Sequence, residues 1–155
     1  MKPNLGIPEN HLQEISYELN KLLANETVLY TKTRNYHWNV TGDNFMEMHK
    51  FYETQYTELE EIIDEVAERI RTLGHFAHGR LSDYLKTTSL VEQEYTTNQN
   101  EQLQNLLNDH ETIIRHLRDH VNDFADRRDY GTSDFITGIM EQHEKMAWMI
   151  RSYLQ

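Results

Sequence analysis

Apolar residues recur along this chain at steps of three and four, with no stretch alternating at steps of two. From Glu9 to Asn39 they are Leu12, Ile15, Leu19, Leu22, Leu23, Leu29 and Tyr36, the pattern of an amphipathic helix. Thr41-Gly42-Asp43 breaks it: Gly42 suits a helix C-terminus and Asp43 an N-cap. A second helix is predicted from Asn44 to Leu73, with Phe45, Met48, Tyr52, Leu59, Ile62, Ile63, Val66, Ile70 and Leu73 on its apolar side. Gly74 closes it. His75 to Asn98 reads as a long connection with a short helix over Ser82 to Lys86. A third long helix is predicted from Thr97 to Ala125, with Leu103, Leu106, Leu107, Ile113, Ile114, Leu117 and Val121 inward. Arg127 to Gly131 forms a turn. Thr132 or Ser133 then caps a fourth helix reaching Tyr153, which buries Ile136, Ile139, Met140, Ala147 and Ile150.

Four long amphipathic helices with one long middle crossover predict an all-α, ferritin-like four-helix bundle, with a short extra helix in the crossover. The length of 155 residues suits one domain over 1–155, with a short N-terminal tail over 1–8. Both prolines, Pro3 and Pro8, lie in that tail, so none interrupts a helix.

Composition narrows the chemistry. With no cysteine, disulfides, thiolate catalysis and zinc–thiolate sites are excluded. A formal net charge of −11 opposes binding to nucleic acid through the general surface and favours attraction of cations. No apolar run reaches the length needed to span a bilayer, and the N-terminus lacks a signal-type apolar core. The expectation is a soluble, cytoplasmic protein with no membrane partner.

One set of polar positions has an unusual symmetry. His49, Glu53, Asp64 and Glu68 share a sector of the second helix, with Glu60 among them. His49 and Glu53 are four residues apart, as are Asp64 and Glu68, and the two pairs are placed evenly about a midpoint near residue 58. Each pair has metal-ligand chemistry. Glu53 and Asp64 are separated by roughly 16 Å of helix, whereas bonds to a first-row metal are only ~2 Å long. One chain therefore cannot close both pairs on one ion. Two copies of the helix, antiparallel about a two-fold axis, would bring His49 to Glu68 and Glu53 to Asp64. The spacing predicts metal sites shared between subunits, two per dimer.

The stretch from Asn35 to Glu68 reads N-Y-H-W-N-V-T-G, then F-M-E-M-H-K-F-Y-E, then I-D-E-V-A-E-R-I. It resembles the ferroxidase signature of the Dps family, the DNA-binding proteins from starved cells. The matching positions are His37, His49, Glu53, Asp64 and Glu68, with Trp38 directly after the first histidine. The C-terminal H-E-K-M-A-W-M-I-R, from His143 to Arg151, is similar to the family's last helix. One position departs: Glu53 stands where the family usually has Asp, which keeps the charge and lengthens the reach by a methylene. The ligand set also differs from that of ferritins built on Glu-x-x-His pairs, because no histidine here follows a glutamate by three residues.

The resemblance implies His37, His49 and Glu53 from one subunit and Asp64 and Glu68 from its two-fold mate. It implies iron as the metal, with zinc or another divalent ion able to occupy the same ligands. It further implies a ferroxidase that uses hydrogen peroxide, or dioxygen, and a hollow homo-dodecamer that stores ferric mineral and protects DNA and the cell from oxidative damage. Trp38 would lie near the metal, either filling the dimer interface or intercepting oxidising equivalents. Asp134 matches an aspartate that lines a three-fold pore in the family, with Asp123, Asp126 and Asp129 as weaker candidates; a simple helix-terminal acid is the alternative.

Further candidates carry plainer expectations. Glu47, Glu58, Glu61 and Glu65 form an acidic face of the second helix, either nucleating mineral or solvated, with Glu61 and Glu65 near Arg69. His116 and His120 stand four apart, with no acidic partner at a fitting spacing. His75, His78, His110 and His143 read as surface or interface residues, and His11 as part of the first turn of the first helix. Only Lys2 is basic in the N-terminal tail, and the chain ends Tyr153-Leu154-Gln155, so direct DNA binding is expected to be weak or absent. A non-catalytic metal-sequestering shell and a nucleoid-associated DNA-binding protein are the competing functions.

Overall fold

The computed structural model describes residues 2–155. Its helices are α1 (Glu9–Asn39), α2 (Phe45–Thr72), α3 (Leu81–Thr87), α4 (Gln99–Asp126) and α5 (Tyr130–Leu154). No strand occurs among the described residues. Helices α1 and α2 form one hairpin, and α4 and α5 another. Helix α1 also lies against α4, and α2 against α5, so α1/α5 and α2/α4 are the diagonals of a four-helix bundle. Helix α3, in the crossover, packs beside α1.

The sequence-predicted stripes build the core. Leu12, Ile15, Leu19, Leu23 and Leu29 of α1 meet Met48, Tyr52, Leu59, Ile62, Val66 and Ile70 of α2 in one buried cluster with Leu103, Leu106, Ile113, Ile136, Ile139 and Ile150. Ile63, Ile114 and Val121 are only partly buried against it. Phe45 departs from the predicted stripe: it is 38% exposed and stacks on His49 instead.

Helix ends follow local hydrogen-bond demand. At the end of α2, Gly74 adopts φ +89. Its N–H donates to the Arg71 carbonyl, and the His75 N–H donates to the Ile70 carbonyl, the paired bonds that close a helix on a left-handed glycine. At the start of α2, Asp43 does not cap; Asn44 holds the N-cap position without a side-chain bond. Helix α4 starts at an Asn98 cap, whose side chain accepts from the Glu101 N–H at 3.1 Å. Helix α5 begins earlier than predicted. Asp129, rather than Thr132 or Ser133, is the cap, accepting from the Thr132 N–H at 2.9 Å. A carboxylate there also meets Arg69 at 3.3 Å, which a hydroxyl could not match.

Polar side chains lie within the buried faces of all four bundle helices, among them Glu26 on α1, Gln55 on α2, His110 on α4 and His143 on α5, each no more than 1% exposed. For His110 and His143 this corrects the expectation of a surface or interface position: both are buried inside the protomer. Both fall three or four residues from apolar neighbours on the inward face, and helical periodicity takes them into the core. A further ion pair is buried between α1 and α4, where Lys32 meets Asp109 at 2.5 Å.

Candidate metal centre

The α1–α2 hairpin sets the geometry of the predicted ligands. His37 lies in the last turn of α1 and His49 in the first turns of α2, and the short connection folds one onto the other. Their rings stack with centroids 3.7 Å apart and planes 17° from parallel. The Nδ1 of His37 is 2.6 Å from the His49 carbonyl oxygen, and the Nδ1 of His49 is 2.8 Å from the His37 carbonyl oxygen. A carbonyl only accepts, so each Nδ1 carries the hydrogen. In the neutral ring this tautomer leaves Nε2 with a free lone pair, the form in which imidazole binds a metal.

Glu53 is one turn further along α2 and exposed. Asp64 and Glu68, also exposed, lie on the same unbroken helix. His49 and Asp64 are separated by roughly 22 Å of helix at the standard rise. The structure thus brings His37 and His49 together and keeps Asp64 and Glu68 apart from them within the protomer. Among the described residues, no three His, Asp or Glu side chains gather into a group able to hold a metal.

Aromatic rings surround the histidine pair. Phe45 stacks on His49 at 5.1 Å, and the Tyr56 edge meets the His37 ring at 5.2 Å. Neither was read as part of the site. Both stand at helical spacings from His49, four before and seven after, which is the signal that would have found them. Trp38 points outward, 61% exposed, with the Arg34 guanidinium 5.0 Å from its ring.

The remaining candidates separate. Asp134 is exposed in the second turn of α5. Asp129 is buried and occupied as cap and ion-pair partner, so it offers nothing to a channel. Asp123 pairs with Arg127 at 3.1 Å, while Asp126 is exposed. Arg69 turns to Asp129 and Thr132, so it is not the partner of Glu61 or Glu65. Those two acids and Glu47 are exposed, and Glu58 is half-buried. His120 finds an acidic partner across the bundle, Glu18 at 3.4 Å, and His116 is exposed. His11 bonds the Arg127 carbonyl at 3.2 Å, and His75 lies 3.7 Å from Glu9.

A family model described as a ferritin-like domain matches residues 17–155. The bundle and this match define a ferritin-like protein. Within that class the chain belongs to the Dps family. It is 35% identical to "DNA protection during starvation protein 2" of Bacillus anthracis, over 88% of this chain and 93% of that one. It is 41% identical to a low temperature-induced protein of Nostoc, over 98% of this chain and 86% of its relative. Among solved structures, the Dps protein of Vibrio cholerae superposes with a TM-score of 0.95 at 34% identity, covering 100% of this chain and 98% of that one. That protein is described as a member of a broad superfamily of ferritin-like diiron-carboxylate proteins. No helix among the described residues is long and apolar enough to cross a membrane.

Proposed function

We propose that this protein is an iron-oxidising, iron-storing mini-ferritin whose catalytic sites form between two subunits. The observation that carries this reading is the reciprocal His37–His49 pair, which presents two free Nε2 atoms while Asp64 and Glu68 sit too far along the same helix to join them. A second chain lying antiparallel on α2 supplies what the first lacks. His37, His49 and Glu53 of one subunit and Asp64 and Glu68 of its mate then bind ferrous iron as substrate. Imidazole and carboxylate ligands suit that ion and leave coordination positions open to an oxidant.

Hydrogen peroxide is the proposed oxidant. Two ferrous ions give one electron each, the O–O bond breaks to leave two hydroxides, and the ferric ions hydrolyse with water to oxide-hydroxide, releasing four protons per peroxide. The Vibrio cholerae neighbour's description as a ferritin-like diiron-carboxylate protein supports iron chemistry. The relatives' names support a role in protecting DNA. We assign storage to a hollow dodecamer and the address to the cytoplasm, with Asp134 at an iron entry pore. Trp38, exposed on the protomer, would be covered where subunits meet. A net charge of −11 per chain favours iron entry and opposes direct contact with phosphates.

Anaerobic mixing of ferrous iron and peroxide, followed by ferric absorbance, tests the reading. Wild-type protein should oxidise iron faster than the His37→Ala/His49→Ala variant. Equal rates would leave a passive metal-sequestering shell, the reading that the longer Glu53 side chain favours.

A further inference from the structure

The bundle core contains a line of titratable groups that the metal chemistry does not use. Glu26 Oε1 lies 2.8 Å from His143 Nε2, and His143 Nδ1 lies 2.8 Å from His110 Nδ1. All three side chains are 0% exposed. They come from α1, α5 and α4 in turn. Helices α1 and α5 are diagonal, so the first of these bonds passes through the bundle axis. Both ends of the line are open: Glu26 Oε2 and His110 Nε2 have no hydrogen-bond partner.

Other buried titratable groups are already engaged. On α1 and α4, Lys32 and Asp109 hold each other at 2.5 Å. Tyr36 accepts from Asn105, and Tyr52 of α2 donates to Gln102. His37 belongs to the histidine pair, and Asp129 caps α5. On α5 the other buried polar side chains are Thr132 and Ser133, and α3 buries nothing. The line therefore consists of one carboxyl group, Glu26, which can carry a single negative charge, and two imidazoles. One shared proton on the imidazoles makes it neutral. A second proton leaves an uncompensated positive charge away from water, which is strongly unfavourable.

We propose that Glu26, His143 and His110 form an acid-sensitive latch, closing the α1–α5 diagonal at neutral pH and releasing it when a second proton reaches the two imidazoles. Burial, and then the neighbouring His143 charge, push His110 well below the ordinary histidine value. The sign follows. Between the unfolded value of about 6.5 and the lower folded one, the unfolded chain binds the proton that the folded core refuses. The stability is fully present above the unfolded value and is lost as pH falls below it. This latch does not depend on the iron chemistry, because Glu26 and His37 are separated by roughly 16 Å along α1.

The test is the melting temperature of the full-length, metal-free protein from about pH 8 to about pH 4.5, a range that brackets the ordinary histidine value. Wild-type protein should lose stability below about pH 6.5, and His110→Phe should flatten that loss by up to one proton, about tenfold in the folding constant per pH unit. Parallel profiles would overturn the latch. Glu26→Gln, lacking the balancing charge, should move the acid transition to higher pH; an unmoved transition would count equally against it. Should neither variant fold, wild-type protein with ¹⁵N-labelled histidine decides. A nitrogen–nitrogen coupling between two imidazoles at neutral pH, lost in acid together with folded signals, supports the latch. No such coupling, or uniform titration of all nine histidines, refutes it.

Discussion

His37 and His49 hold each other in place. Each imidazole donates its Nδ1 hydrogen to the other's carbonyl, at 2.6 and 2.8 Å, with the rings stacked at 3.7 Å. The arrangement fixes the tautomer and orientation of both rings before any metal arrives, so little ordering remains to be done on binding. Truncating either ring frees the other. His37→Ala and His49→Ala should each lower the initial rate of ferrous oxidation by at least about tenfold, the scale of losses when ligand orientation fails. Stopped-flow absorbance checks this, and a circular dichroism melt close to wild type would show that the bundle survives.

Asp129→Ala removes the cap of α5 and the carboxylate that Arg69 meets, leaving Arg69 its bond to the Thr132 hydroxyl. It should cost about 1–2 kcal/mol, as loss of a good N-cap does, in chemical denaturation. Ser133→Ala should cost clearly less, and Asp134→Ala should leave stability near wild type while slowing iron uptake, measured as ferric absorbance; unchanged uptake would contradict the proposed pore.

Gly74 closes α2 in the left-handed region, and a Cβ there would come within 2.6 Å of Pro3 Cδ. Gly74→Ala should therefore destabilise by about 1–2 kcal/mol from backbone strain alone, with a further loss from displacing the N-terminal tail. A thermal melt of the metal-free protein measures it, and truncating residues 1–4 should remove only that further part.

Much of this architecture was legible in the chain. Stripes at helical spacing located the long helices to within a few residues of their ends, because one buried face per helix is what a bundle requires. Gly74 was legible as a stop for the same reason that makes it irreplaceable. Harder to read were contacts made by residues distant in sequence. Nothing near Asp129 announces Arg69, sixty positions earlier, so the cap was placed on the nearby hydroxyls. His110 and His143 were read as surface or interface residues because histidine is polar, yet both interrupt apolar stripes at inward positions, as Glu26 does. The midpoint symmetry of His49, Glu53, Asp64 and Glu68 was visible, but a single protomer does not show its partner.

Direct association with duplex DNA should be absent or weak at physiological salt, given the charge of −11. A gel shift on the assembled protein, with magnesium kept low, checks this; tight retention of DNA would contradict it. Protection of DNA against ferrous iron with peroxide should nevertheless be measurable and should disappear in His37→Ala/His49→Ala.

The shared site is tested most directly by complementation between two defective chains. His49→Ala and Asp64→Ala should each be inactive alone. Unfolded together, mixed in equal amounts and reassembled, they should recover about a quarter of wild-type oxidation, because half the dimers are mixed and each mixed dimer rebuilds one of its two isologous sites. Activity that stays at the level of the separate variants would mean that His49 and Asp64 never meet across the two-fold.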